Sequence, residues 1–486
     1  MTKFEYYLNS IGEIGYVDQI NGQIISVSGL PNAISEELVL LESGEIGQIF
    51  TMKKGYLEIL IFSKTSIKPG TRVARTNRNL EAPISEQLLG RIVNPLALLA
   101  VATEPDNKQT LSPIEVLPKG ITDRESLTKQ LETGVSIVDL AIPLAKGQRE
   151  LIIGDRKTGK SAFLLQTVLN QAKNGSICIY AAIGKKTLDI KKIQEFFVKN
   201  KIVKNTVLVA SSPEDSSGII NITPYVAMTF AEYFVAKGND VLIVLDDLTT
   251  HAKIYREISL LAEKFPGRNS YPADTFYIHA KLMERAGNFI TAKGTYSITC
   301  LPVAETAQGD LSGYIPTNLM SMTDGHLYFD SNLFAEGRRP PINPFLSVTR
   351  VGRQTQSRLK HDIGREIISF LNLFEKMQNF IHFGAELNQN IKATIETGNK
   401  LLRFFNQPMS KTIPANVQVL LFSLIWNDIW DAKVVENLEQ YIDLLIEKYN
   451  NNSVIKEKID DLANKKSFNE MLGTLRKEYQ SLVEAG

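Results

Sequence analysis

An apolar strand, Leu151-Ile152-Ile153, runs into Gly154-Asp155-Arg156-Lys157-Thr158-Gly159-Lys160-Ser161, which fits the P-loop pattern G-x-x-x-x-G-K-[ST]. No other stretch constrains the fold as much, because the pattern works only where a strand delivers a loop to the start of a helix. Gly154 and Gly159 let the backbone turn tightly and aim its N–H groups at phosphate oxygens. Lys160 brings a cation to the β- and γ-phosphates, and the Ser161 hydroxyl suits Mg²⁺. Ala162 continues into Phe163-Leu164-Leu165, a helix whose positive end faces the same phosphates. A chance match in a Gly/Lys loop would lack this context. Residues 154–162 therefore predict a cradle for ATP or ADP with Mg²⁺.

The flanking sequence predicts an α/β core around this loop. Apolar runs at 176–184, 206–210, 241–245 and 296–303 alternate with helical stretches. Such continuous runs belong to a parallel sheet buried on both faces, with ligands beyond the strands' carboxyl ends. Before this core, short β-prone runs within residues 12–77 are separated by Asn21-Gly22, Glu42-Ser43-Gly44, Lys54-Gly55 and Pro69-Gly70, the pattern of a small barrel. After it, from Ser357 on, apolar residues recur at helical spacing, as in 434–445, with Asn450-Asn451-Asn452-Ser453 as a polar loop. The expected division is a short segment 1–11, a barrel 12–77, a nucleotide-binding domain 78–356 and a helical domain 357–486.

Composition narrows the function classes. A net charge of +1 over 486 residues gives no support to nucleic-acid binding. The two cysteines, Cys178 and Cys300, sit in apolar runs and read as buried thiols. The five histidines show no metal-ligand spacing. No apolar run approaches the length of a membrane span, and the start lacks a signal-peptide core, so any membrane link is expected through partners.

The second chemical element is Val241-Leu242-Ile243-Val244-Leu245-Asp246-Asp247. A buried strand ending in a carboxylate suits a metal, and Asp246 is expected to hold Mg²⁺ through water, opposite Ser161. Asp247 is either a second candidate or the cap of the helix beginning at Leu248.

At this point the chain resembles the alpha subunit of F-type ATP synthases. The resemblance is carried by Leu131-Glu132-Thr133-Gly134, residues 147–156, Pro266-Gly267-Arg268 with Tyr271-Pro272, residues 314–318, and residues 346–352. It runs from about residue 12 to the end, densest between 127 and 356. The GDR form of the P-loop marks the alpha type. The resemblance implies a β-barrel, a P-loop (RecA-like) core and a helical domain. It also implies a hexamer with beta-type catalytic subunits around a central gamma-type shaft, cytoplasmic and peripheral to the inner face of the cell membrane.

Catalytic beta subunits of this family place a glutamate after the position of Ile183-Gly184, and alpha subunits a glutamine. Here stands Lys185. An ammonium has no lone pair with which to accept a proton, so a non-catalytic site is expected even if Lys185 points to solvent. By the resemblance, Arg350 is the arginine finger offered to a neighbouring beta site; a plain inter-subunit salt bridge is the other reading. Phe334, Arg339 and Pro340 match positions flanking adenine. Gln407 is placed to hydrogen-bond the base and Phe404 to stack on it, or both are core. Lys157 stands where alpha subunits carry glutamine and adds a cation beside the phosphates. Only about a dozen residues precede the barrel, where the family carries a longer arm that docks the peripheral stalk. Phe383-Gly384-Ala385-Glu386-Leu387 resembles the loop facing the shaft.

Three readings follow. The first is an alpha-type, nucleotide-binding, non-catalytic subunit of a rotary ATPase, either ion-coupled or in a specialised ring powering cell-surface movement. The second is a self-sufficient P-loop export or helicase ATPase, which needs a carboxylate near position 185; Glu305 is the nearest substitute. The third is a scaffold that holds nucleotide with Arg350 idle.

Overall fold

The computed structural model describes residues 2–64, 66–104, 108–382, 389–429 and 437–483. They fall into two compact units, one comprising 1–125, 172–305 and 310–323, the other 126–171, 306–309 and 324–486. The expected nucleotide-binding stretch 78–356 thus contributes to both.

The first unit opens with the helix Lys3–Ile11, held by a capping box between Thr2 and Glu5 and ended by Gly12. Six antiparallel strands between Ile14 and Arg75 then close a barrel. Its interior is filled by inward-facing apolar side chains, among them Ile25, Val27, Val39, Ile59 and Val73. Full burial of each contributes roughly 1.5–3 kcal/mol. The same unit holds five parallel strands in the order Ile92–Val93, Thr206–Ala210, Ile177–Ala182, Val241–Asp246 and Gly294–Glu305. The strand Gly287–Thr291 joins antiparallel to the last, so the sheet is mixed where a purely parallel one was expected. The reason is local: the Ala292-Lys293 turn closes a hairpin that reverses the chain.

One expectation fails here. The helix Ser217–Ala236 has 20 residues and is apolar enough to cross a membrane. It is a core helix instead. Ile219, Ile222, Val226 and Phe230 are buried, and its Thr223 hydroxyl is bonded to Ile219 O and Ser211 Oγ.

In the second unit the strand Glu150–Gly154 pairs in parallel with Gly325–Phe329, which pairs antiparallel with Val348–Thr349. Helices Arg358–His382, Gln389–Phe405, Ala415–Trp426, Leu438–Asn451, Ser453–Ala463 and Phe468–Val483 complete it. The polar loop expected at 450–453 narrows to one residue: one helix runs to Asn451, the next begins at Ser453, and Asn452 between them caps the second. The 434–436 part of the expected helix lies outside the described residues, as does the 383–387 loop. The Thr133-Gly134 turn has a visible purpose. Thr133 N, Thr133 Oγ1 and Gly134 N all donate to the buried Asp139 carboxylate, and Gln418 Nε2 adds a fourth bond from the helical region. Burial still pushes Asp139 up to about 6 against those hydrogen bonds.

Candidate functional site

The P-loop is anchored from below. At Gly154 a Cβ would lie 2.4 Å from Phe329 O, so only glycine lets the strand end pass this close. Gly159 has φ +89, where an L side chain is strained. The Asp155 carboxylate is the hub of the loop, accepting bonds from Thr306 Oγ1 (2.6 Å), Gly309 N (2.9 Å) and Ser331 Oγ (2.8 Å). Burial works to raise its pKa, but these donors together hold it below the usual range. Thr158 Oγ1 closes the turn onto Asp155 O at 2.8 Å. Lys160 Nζ donates to Gly154 O (2.7 Å) and Asp155 O (2.5 Å) at the mouth of the helix Lys160–Lys173. Arg156, Lys157 and Ser161 are exposed, and Ala162 is half-buried on the first turn. The loop therefore presents three cations and a helix N-terminus, a built receptor for a polyphosphate.

Two of the predicted base-flanking residues gather beside this loop. Phe334 Cε2 lies 3.9 Å, and Pro341 Cδ 3.8 Å, from where a Cβ on Gly159 would stand. The Arg339 guanidinium covers the Phe334 ring at 3.7 Å from its centroid and donates to Phe334 O. Pro340 follows Arg339 through a cis peptide bond and is half-buried.

Gln407 has its side chain committed within the fold, the core alternative of the two readings. Its backbone N–H reaches Arg339 O at 2.6 Å, but its side chain is 4% exposed and fully engaged. Nε2 donates to Gly134 O (2.6 Å) and Lys411 O (2.7 Å), while Oε1 accepts from Ser136 N (3.1 Å) and Ser136 Oγ (3.3 Å). Two donors and two acceptor sites are all an amide has. Phe404 is 1% exposed and belongs to the core, packed on Phe405.

The acidic strand end is organised by a residue whose partners sequence did not reveal. Register pairs Ala182 with Asp246, so the two strands end side by side. Lys185, three residues on, places Nζ 2.7 Å from Asp246 Oδ1 and 3.4 Å from Asp247 Oδ2. Tyr180 OH donates to Asp246 Oδ2 at 2.7 Å, and Asp247 Oδ1 caps the following helix through Thr250 N at 2.6 Å. Burial works to lower the Lys185 pKa, but the two carboxylates outweigh it and hold the ammonium well above its ordinary range. A cation 4 Å from that ammonium would meet roughly 4 kcal/mol of repulsion per unit charge at an effective dielectric of about 20. The acidic pair thus does not fit Mg²⁺ as expected from sequence: its oxygens already have a resident cation and a phenol. Glu305 ends its strand with its backbone N–H on Thr249 Oγ1.

Arg350 follows the short strand Val348–Thr349 and is exposed. Its backbone N–H donates to Asp324 O at 3.0 Å. Among the described residues no hydrogen bond or ion pair holds its guanidinium. Gly352 lets this turn seat: a Cβ there would fall 1.7 Å from Pro143 O.

Comparison with known proteins agrees with this architecture. The family model "ATP synthase alpha/beta family, nucleotide-binding domain" matches residues 134–349, and "ATP synthase alpha/beta chain, C terminal domain" matches 356–481. ATP synthase subunit alpha of Lactobacillus johnsonii is 35% identical over 477 residues, 97% of this chain and 95% of its own. That of Ligilactobacillus salivarius is 35% identical over 479 residues, 98% and 95%. That of Staphylococcus aureus is 37% identical over 437 residues, 90% and 87%. With its barrel, P-loop core and C-terminal helices, the chain belongs to the ATP synthase alpha/beta family, among the alpha subunits of F-type ATP synthases.

Proposed function

We propose that this chain binds nucleotide without hydrolysing it and lends Arg350 to the catalytic site of a neighbouring beta-type subunit. The ring would alternate the two types around a gamma-type shaft, in the cytoplasm at the inner face of the cell membrane, with membrane contact only through the complex. The observation that carries the reading is Lys185, ion-paired to Asp246 and Asp247 where the family's catalytic subunits place a glutamate. Cutting a triphosphate requires a group that orients water and accepts its proton. An ammonium engaged with two carboxylates does neither.

The P-loop residues 154–162 would cradle the phosphates, and Phe334, Arg339 and Pro340 would flank the base. Ser161 offers an exposed hydroxyl to the phosphate end. Arg350 has the two properties a finger needs, an exposed guanidinium and a fixed backbone. Its planar, permanent charge matches the charge spread of a transferring phosphoryl group.

The test is a ring rebuilt with the beta sites disabled. Turnover at background level with nucleotide still retained on this chain is the expected result. Substantial hydrolysis would instead favour the self-sufficient ATPase, with Glu305 as the substitute base.

A further inference from the structure

We infer that a cleft on the outer wall of the barrel binds a small aliphatic diamine, a use of this chain beyond nucleotide binding. The cleft has a volume of about 620 Å³ and lies wholly within the first unit. It opens between the strands Ile14–Asn21, Ile24–Ser28 and Tyr56–Ile61 and the end of the helix Leu248–Leu261. Asn21 Nδ2 ties barrel to helix there, donating to Leu261 O at 2.9 Å.

Glu58 is the decisive group. Leu57, Ile59 and Ile61 of its strand fill the barrel, so alternation turns Glu58 to the outer face. Even so it is only 4% exposed, lining the cleft with Leu261 and Glu263. Lys53 Nζ reaches Glu58 Oε1 at 2.5 Å, but Oε2 is buried with no hydrogen-bond partner among the described residues. The cross-strand neighbour Thr51 has its hydroxyl buried and unpartnered in the same way. Burying an ionised oxygen without a donor is costly, and a ligand that donates hydrogen bonds removes the cost.

Asp18 supplies a second acidic end. A bulge between Val17 and Gln19 takes it out of register, and both Asp18 and Gln19 are exposed. Gln19 pairs with Ser26 and Ser26 with Glu58, so Asp18 and Glu58 stand two strands apart, about 10 Å between backbones. The Asp18 carboxylate accepts from Ser28 Oγ at 3.1 Å and has no ion pair among the described residues. Glu263 adds a third carboxylate, sharing Lys53 Nζ at 3.5 Å. One ammonium thus answers three acids; Lys54, at the hairpin tip, is exposed, where water and salt screen its charge. Ile20, Ile24 and Leu261 give the same cleft apolar wall. Two acidic ends with apolar wall complement two ammonium groups on a short methylene chain. A metal fits less well, because it gathers oxygens around one point at about 2.0–2.6 Å. Among the described residues no three such ligands converge.

The experiment is calorimetric titration of the full, nucleotide-free chain with 1,4-diaminobutane at low salt, with butylamine and MgCl₂ titrated in parallel. It is run on the natural protein, on Asp18→Asn and on Glu58→Gln. The natural protein is expected to take up one diamine per chain with a Kd near about 0.1 mM. Butylamine, with a single ammonium, should bind at least about 10-fold more weakly, and each variant should weaken the diamine by a similar factor. If Glu58→Gln fails to fold, Asp18→Asn, at an exposed position, still decides the matter. No saturable binding up to about 10 mM would leave Glu58 Oε2 to water and overturn the inference. So would equal affinity for diamine and butylamine, unchanged binding in Asp18→Asn, or displacement of the diamine by equimolar Mg²⁺.

Discussion

Asp324 fixes Arg350 at both ends of a short relay: its carbonyl accepts the Arg350 N–H at 3.0 Å, and its carboxylate is clamped by Arg149. Arg149 uses Nε (3.1 Å), Nη2 (2.7 Å) and its own backbone N–H (2.9 Å) on Asp324. The Gln148-Arg149-Glu150 stretch before the P-loop strand thus also sets the backbone from which the proposed finger projects. Replacing Asp324 with Ala should lower ring hydrolysis by roughly 10–100-fold, the effect of misplacing a catalytic group by about an ångström. ATP retention on this chain should not change. The check is kcat of the reconstituted ring beside bound nucleotide per subunit; equal losses in both would mean that Asp324 only supports the fold.

Lys185 is as much a stability element as a functional one. Lys185→Ala strands two buried carboxylates and should cost roughly 3 kcal/mol. Removing the charge of Asp247 as well, by Asn, should recover part of that loss. Denaturant midpoints of the two variants against the natural chain test this, and an unchanged midpoint for Lys185→Ala would show that the ion pair is not formed in solution.

Gln407 separates packing from base recognition. Gln407→Ala leaves Ser136 N without its partner, while Gly134 O keeps Ile413 N and Lys411 O keeps Gln166 Nε2, and should destabilise the chain by roughly 1–3 kcal/mol. ATP affinity measured well below the unfolding transition should stay within about 3-fold. A large loss of affinity with unchanged stability would return Gln407 to the adenine site.

Glu150 predicts a pH effect of known sign. It is fully buried, with one oxygen accepting from Gln148 Nε2 at 2.6 Å and the other unpaired among the described residues. Burial raises its pKa well above the ordinary 4.5, more than the Gln148 bond and Arg350 lower it. The unfolded chain therefore releases this proton first. Stability from the group is full below about 4.5 and falls as pH climbs toward the raised folded value. Glu150→Gln should flatten that decline, gaining on the natural protein at alkaline pH and not at pH 5. Parallel pH profiles of the unfolding temperature would refute the assignment.

How much of this was legible in the sequence depended on what each residue needed. The strands at 151–153, 177–182, 206–210 and 241–246 were readable because burial on both faces demands unbroken apolar runs. The P-loop was readable because its chemistry is local, within eight consecutive residues. The Lys185 ion pairs were not, since they come from two parallel strands ending in register, more than fifty positions apart. Gln407 stayed open between the base and the core for the related reason that nearness to a motif does not reveal how many partners an amide already has. The helix Ser217–Ala236 was underestimated because Asn221, Pro224 and Glu232 interrupt its apolar character on paper. In the fold Glu232 pairs with Arg285, while Asn221 Oδ1 is buried without a hydrogen-bond partner among the described residues.

The most direct measurement is steady-state ATP hydrolysis by a ring carrying Arg350→Ala in this chain, with assembly and bound nucleotide followed in the same preparation. If the guanidinium serves the neighbouring site, the rate should drop by about 10³–10⁵-fold in a ring that still assembles and still holds ATP on this subunit. Hydrolysis within a few-fold of the natural ring would contradict the account.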